Sequence, residues 1–298
     1  MIYKCAVKPS ASGAAELVVY QDEEPLSVKE DSVLVDVERC ALDVRQVAQT
    51  LLQGRVWEDV NRFSLVGYAA QVGQEVDGVC AGDRVIAFGP SVSRVALPAH
   101  ECLVVSKSVD ADRVACWALA IELIYHLRRV RIEVGESVLV LGDGLTGLLV
   151  AQLAFAAGAV VAELANLEGA TSDPKADVLI DTSGSIELLK DMMPFVRDGG
   201  RVLLLTAQNQ LPVDFDFYPD VHRRSLKFLV GSIGGPVWQT HFSADIRLHK
   251  DTEFVRHLFG TRRLCTEYLQ RVRPRDLKNK KGEPTPLKPE ASALLVEW

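Results

Sequence analysis

Over the first hundred residues the apolar positions come in short alternating runs broken by Gly, Pro and Asp, which is the period-two grammar of β-structure. Ser32 to Glu38 (SVLVDVE) sets Val33, Val35 and Val37 against Leu34, Asp36 and Glu38, predicting a half-buried strand. Helical spacing over Asp43 to Leu52 follows, then short strands at Tyr68 to Val72, Arg84 to Phe88 and Arg94 to Leu97. From Ala111 the period changes, and ADRVACWALAIELIYHLRRV reads as helix. After Gly135 strands and helices alternate. Strand Ser137 to Leu141 leads to helix Leu145 to Ala157, strands Val160 to Glu163 and Asp177 to Ile180, helix Ile186 to Val196 and strand Arg201 to Leu205. A strand at Leu226 to Val230, a helix near Asp251 to Tyr268 and a last strand at Ala293 to Trp298, returning to the first domain, complete the expectation. Alternation of this kind makes a parallel sheet covered on both faces. The expected fold class is therefore α/β, with a β-rich domain ahead of a doubly wound parallel sheet.

The sharpest local pattern is SVLVLGDGLTG, Ser137 to Gly147, an unbroken apolar strand running into Gly142-x-Gly144-x-x-Gly147 and then a helix. In a dinucleotide site the first Gly makes the tight turn, the second lets a pyrophosphate approach the backbone and the third lets helix pack on strand. Gly142, Gly144, Leu145 and Gly147 are the candidate phosphate-binding residues, through amides at the helix N-terminus. Asp143 places a carboxylate inside this turn. Glu163, 21 residues after Gly142, stands roughly where an acid would meet the ribose hydroxyls of NAD. No Arg or Lys occurs between Gly158 and Pro174, so a 2'-phosphate is poorly supplied with partners.

Composition narrows the classes. The 298 residues carry a net charge of -7, against any whole-protein attraction to nucleic acid or anionic membrane. Six scattered cysteines (Cys5, Cys40, Cys80, Cys102, Cys116, Cys265) contain no C-x-x-C pair, so they read as buried, reduced thiols of an intracellular protein. MIYKCAVKPSASG lacks the apolar core of a signal peptide, and Leu145 to Leu164 is interrupted by Gln152, Gly158 and Glu163, so no membrane insertion is expected.

GESVLVLGDGLTGLLVAQLAFAAGAVV, ADVLIDTSG and DGGRVLLL, preceded by VLVDVERCAL and QVGQEVDGVCAGDRV, resemble in order and phrasing the medium-chain dehydrogenase/reductase superfamily, in its zinc-free quinone oxidoreductase branch. Within that branch ELVVYQDEEPLSVKEDSVLVDVERCAL, Leu226 to Trp238 and EPTPLKPEA are similar to the quinone oxidoreductase-like group. The resemblance implies a GroES-like catalytic-type domain over 1–118 and 270–298, a Rossmann-type domain over 119–269, NADH or NADPH as hydride donor, and a homodimer. It also implies a place among the subunits of an endosomal Rab5-effector assembly, FERRY, that links messenger RNA to early endosomes. The location would be cytoplasmic, peripheral on those membranes.

Against the family pattern, several parts are missing. Aligned on VERCAL, Asp43 stands where zinc enzymes carry a Cys, the Gly-His-Glu before Gly67 is absent, and the six histidines show no ligand spacing, so no metal is expected. The family's polar acceptor-side positions fall on Asp43, Gln46 and Ala48. An Asp there opposes a developing enolate charge and Ala48 offers no hydroxyl, so the candidate catalytic pair Asp43 and Gln46 looks eroded. Asp43 also suits a helix cap. Only ANLEGATSDPK separates Leu164 from Ala176, too short for the helix, strand and helix of a normal Rossmann half, so the sheet is expected to be shortened. Arg271 to Lys288 holds seven basic residues, read first as a solvated loop and second as a contact for RNA phosphates, without interleaved aromatics to stack bases. Two classes compete. One is an active NAD(P)H-dependent reductase of quinones or enones, and the other a catalytically weakened relative serving as a complex subunit, towards which the missing parts lean.

Overall fold

The computed structural model describes residues 2–9, 15–22, 27–44, 47, 62–165, 175–206, 216–234, 246–274, 285–286 and 293–298. In chain order it forms β1 (Ile2–Pro9), β2 (Ala15–Asp22), β3 (Ser32–Asp43), β4 (Phe63–Val72), β5 (Arg84–Gly89), β6 (Arg94–Pro98) and β7 (Leu103–Val104). Helices α1 (Ala111–Val114) and α2 (Trp117–Val130) follow. Next come β8 (Ser137–Leu141), α3 (Leu145–Ala156), β9 (Val161–Ala165), β10 (Ala176–Asp181), α4 (Ile186–Met192), β11 (Val196–Leu204) and β12 (Lys227–Val230). The chain closes with α5 (Ile246–Gly260), β13 (Gln270–Val272), β14 (Thr285–Pro286) and β15 (Ala293–Glu297). Two compact units result: Met1–Ile121, Gly234–Phe259 and Cys265–Trp298 form the first, Glu122–Ile233 and Gly260–Leu264 the second.

The first unit is organised by β3. It runs to Asp43 rather than stopping at Glu38, because two strands share one of its edges: β6 pairs antiparallel with its first half (Ser32 opposite Pro98) and β15 with its second (Asp43 opposite Ala293). β4 lies along the other edge, so the full order is β13-β15-β3-β4-β5-β7 with β6 also on β3. The expected return of the final strand to the first domain is this β15–β3 pairing. Val33, Val35, Leu42, Leu65, Val85, Leu294 and Val296 are fully buried and form one core cluster. Each such side chain contributes roughly 1.5–3 kcal/mol over exposure. A smaller antiparallel sheet pairs β1, β2 and β14.

The helix read from Ala111 is broken. α1 is capped by Asp110, whose carboxylate accepts from Asp112 N, and ends at Val114. α2 restarts at Trp117 because the buried Ser64 hydroxyl of β4 serves the break, donating to Ala115 O at 2.6 Å and accepting from Leu119 N at 3.3 Å. A backbone interruption in a core survives only where its polar groups find partners. The helix expected over Ile186 to Val196 stops at Met192, since Pro194 has no N–H for an i−4 bond; a short 3₁₀ turn follows and Val196 already belongs to β11. The late helix covers Ile246–Gly260, not Asp251 to Tyr268, with Gly260 and the left-handed Arg262 (φ 56) ending it.

In the second unit every described strand pairing is parallel and the order is β12-β11-β10-β8-β9. The chain leaves β8 for β9 on one side and returns past it to β10 on the other. α3 follows β8 and α4 follows β10, giving the doubly wound pattern. Among the described residues β9 ends the sheet. Only residues 166–175 link Ala165 to Ala176. The start of β10 lies one strand length (~17 Å) back and two strand spacings (~9.6 Å) across from the end of β9, ~19 Å in a straight line, and ten residues reach at most ~36 Å. No length remains for a further strand of ~17 Å and its return. The fold class is α/β: a GroES-like β-rich unit and a shortened Rossmann-type sheet.

Candidate functional site

Leu139, Val140 and Leu141 are buried on both faces of the parallel sheet, and the strand they form delivers the chain directly into the glycine turn. Gly142 has φ +102, a conformation that glycine alone adopts without strain, and a Cβ there would lie 2.7 Å from Thr182 Oγ1. Gly147, in the first turn of α3, passes so close to the turn that a Cβ would lie 1.9 Å from Gly142 O. These two glycines are therefore demanded by the packing of helix on strand. Gly144 differs. It is the N-cap of α3 at φ −74, which any residue can adopt, and it makes no side-chain cap. The first amides of a helix have no intrahelical acceptor, so Gly144, Leu145 and Gly147 present the N-terminal amide cluster and positive dipole end that suit an anion. Asp143 sits half-buried inside the turn.

The turn lies at the topological switch point, where the chain departs from β8 in opposite directions and where parallel α/β sheets bind ligands beyond their carboxyl ends. Its second wall is the end of β10. Thr182 Oγ1 donates to Leu141 O at 2.7 Å, tying that wall to β8, while the fully buried Asp181 accepts from Ser183 N at 2.8 Å and from Ser183 Oγ at 2.6 Å. Sequence reading did not single out Asp181, Thr182 or Ser183 as site residues; the signal was their position at the carboxyl end of a parallel strand. Glu163 is the third residue of β9, opposite Leu139, and the strand continues two residues further to Ala165, so the acid stands short of the carboxyl end.

His126 was also passed over, as one histidine among six scattered ones. It is fully buried on α2, and Nε2–H donates to Ser232 O at 3.1 Å, just past β12. Gly231 lies flat against the ring: a Cβ there would be 2.5 Å from both Cε1 and Nδ1. Gly231 N donates to Leu204 O at 2.8 Å, so His126 fixes the carboxyl ends of β11 and β12 against α2. Burial chiefly, helped by the Arg129 charge, outweighs the Ser232 hydrogen bond and brings its pKa down to about 4, so the ring is neutral at physiological pH.

No family model matches the chain, and no curated protein matches it by sequence. Solved structures match it throughout. A quinone oxidoreductase of Pseudomonas syringae pv. Tomato DC3000 is 17% identical at a TM-score of 0.70, over 93% of this chain and 94% of its own. The CurK enoyl reductase is 15% identical at 0.69, over 99% of each chain. CAD of Helicobacter pylori, complexed with NADP(H), is 15% identical at 0.68, over 100% of this chain and 98% of its own. The fold is that of the medium-chain dehydrogenases/reductases.

In the GroES-like unit of this medium-chain fold, Asp43 is buried (7% exposed) as the last residue of β3, immediately before helical Val44. Gln46 and Ala48 lie outside the described residues. Among the described residues no group of three or more His, Cys, Asp and Glu is placed to hold a metal ion. Within the basic run, Arg271 pairs with Asp112 and Arg273 with Glu297 (3.0 Å), while Arg39 bridges the same two carboxylates at 2.9 and 3.4 Å. These two arginines therefore anchor β13 to the unit, and beyond 274 only Thr285 and Pro286 of the run, which form β14, lie within the described residues. The cysteines are not uniformly buried: Cys40 and Cys116 are, Cys102 and Cys265 are half-buried, and Cys80 is exposed on the turn where its N–H donates to Asp83 Oδ2. Burial pushes the Cys102 and Cys116 thiols up to about 12. No helix among the described residues is long and apolar enough to cross a membrane.

Proposed function

We propose that the chain is a metal-independent quinone oxidoreductase-like protein, of the quinone oxidoreductase-like protein 1 type, that keeps a nicotinamide-nucleotide site with weakened reductase turnover. In the cell it serves as a subunit of an endosomal Rab5-effector assembly of the FERRY type linked to messenger RNA, as a homodimer. The observation that carries this reading is a sheet that keeps a glycine turn at its switch point and, among the described residues, ends at β9. Gly144, Leu145 and Gly147 hold phosphate by their amides, and Thr182 fixes the opposite wall. When bound, the nicotinamide supplies the hydride. By the resemblance, Asp43 takes a position where the family carries an acceptor-side polar group, and a carboxylate in that role slows reduction rather than assisting it.

The intact glycine turn and the neighbouring quinone and enoyl reductases support a second reading, an active NAD(P)H-dependent reductase of quinones or enones. Titration with NADH and NADPH, followed by quinone-dependent oxidation, separates the two. Binding with turnover below about 1 s⁻¹ supports the subunit reading, and turnover in the usual 1–10³ s⁻¹ range supports the reductase. Affinity purification from cell extract checks the assembly: recovery of the chain alone would refute it.

A further inference from the structure

In the GroES-like unit, charges alternate from strand to strand across one face of the sheet. Arg39 of β3 stands opposite Glu297 of β15 in the antiparallel register, and the two side chains meet at 3.4 Å. β13 lies parallel on the far side of β15 with Val272 beside Val296, so the next residue, Arg273, reaches Glu297 at 3.0 Å. Asp112 of α1 closes the same face, accepting from Arg39 at 2.9 Å and from Arg271. Across the sheet the order is cation, anion, cation, and three guanidinium groups share two carboxylates.

The cationic end of this array coincides with the end of the sheet. Among the described residues β13 is the last strand in the order β13-β15-β3-β4-β5-β7. Val272 is buried in the core cluster, so by strand alternation Arg271 and Arg273 stand together on the opposite face, about 6.6 Å apart along the strand. Their side chains are 69% and 48% exposed. Asp112 and Glu297 already hold them, so a ligand meeting their outer N–H groups orders little that is not ordered beforehand. A terminal strand offers its outward backbone N–H and C=O groups to another chain. A second copy is the wrong occupant, because β13 against β13 would set arginine beside arginine, and like charges on neighbouring strands are destabilising. The sequence around it has the same sign, with seven basic residues against Asp276 and Glu283 from Arg271 to Lys288.

We propose that β13 is a docking edge for an extended, acidic segment of a partner protein, which adds as a further strand with Asp or Glu at alternate positions facing Arg271 and Arg273. Backbone pairing supplies the attachment, and the two charge-assisted contacts set the partner's sign and register. This docking is independent of nucleotide binding at the glycine turn.

The test is fluorescence anisotropy of the full chain with a labelled acetyl-Thr-Glu-Val-Glu-Val-Glu-Thr peptide, its Lys-for-Glu counterpart and an oligouridylate of similar length. We expect the acidic peptide to bind at least ~10-fold tighter than the basic one at low salt, about 1.4 kcal/mol, and to weaken as added salt screens the pairs. Arg271→Gln and Arg273→Gln should each lower its affinity about threefold, whereas Arg271→Lys, which keeps the charge, should retain most of it. Arg271→Glu should bring the basic peptide level with the acidic one, and melting curves show that each variant is folded. Amide hydrogen exchange should slow over residues 270–273 on adding the acidic peptide. Equal binding of the two peptides by the parent chain, tighter binding of the oligouridylate than of the acidic peptide, or no binding of the acidic peptide at ~2 mM would each overturn the proposal. So would sedimentation of a dimer that Arg271→Glu dissociates, because a second copy would then hold this edge.

Discussion

Replacing Gly147 with Ala separates what the glycine turn does for the fold from what it does for a ligand. The added Cβ would stand 1.9 Å from Gly142 O, 2.9 Å from Gly142 C and 3.0 Å from Thr182 Oγ1. Two of those atoms are backbone, and ordinary contact needs about 3.4 Å, so the first turn of α3 must lift off β8 by more than ~1 Å. Overpacking of this kind costs about 2–4 kcal/mol, since it also loosens the Thr182 tie to Leu141 O. For a unit of this size the loss lowers Tm by roughly 8–20 °C in differential scanning calorimetry or far-ultraviolet circular dichroism. The paired variant is Gly144→Ala. With φ −74 it carries no backbone strain, and loss of a glycine cap costs only about 0.5–1 kcal/mol. The expected pattern is a fragile Gly147→Ala protein and a stable Gly144→Ala protein with impaired nucleotide binding. A Gly147→Ala protein that melts with the parent chain would refute the packing account. A Gly144→Ala protein unchanged in both stability and binding would show that no phosphate approaches this turn.

Other consequences are open to direct measurement. His126 has a folded pKa of about 4 against 6.5 for an exposed imidazole, so its contribution is fully present above pH 6.5 and is lost as pH falls from 6.5 towards 4, amounting to about 3 kcal/mol. Urea unfolding of the parent and of His126→Asn between pH 7.5 and 4.5 should diverge in slope, and parallel curves would count against a buried neutral ring. Leu294→Ala should destabilise the GroES-like unit by about 2–5 kcal/mol, because Leu294 is fully buried in the core that β15 closes onto β3; a loss under ~1 kcal/mol in denaturant titration would contradict that placement. Maleimide labelling of the native chain should modify the exposed Cys80 and spare Cys116, whose thiol is held near 12 by burial, until the chain unfolds; mass mapping that finds Cys116 labelled first would reverse the assignment.

The α/β alternation after Gly135, the glycine turn and the shortness of the link before Ala176 were legible in the sequence, because each is local: strand period, turn chemistry and residue count act within about ten positions. Helix ends were less so. Pro194 stopped α4 at Met192 although apolar residues continue to Val196, and Ser64, some fifty residues away, allowed the break between α1 and α2. The site divided in the same way. Gly142 and Gly147 could be named from spacing, but that packing alone requires them, while Gly144 is free of that demand in its backbone angle, depended on a contact of 1.9 Å and a φ of −74. Asp181, Thr182 and Ser183 lie inside ADVLIDTSG, which carries the resemblance without giving them a role, and His126 has no sequence signature. They acquire roles only when parallel pairing brings the ends of β8, β10, β11 and β12 to one edge. By itself the sequence determined the α/β alternation, the glycine turn and the shortness of the link before Ala176, since period and chain length are properties of neighbours. Tertiary structure alone decided which glycines the packing of helix on strand requires and which strand ends meet at the glycine turn, since those follow from contacts between strands far apart in the chain.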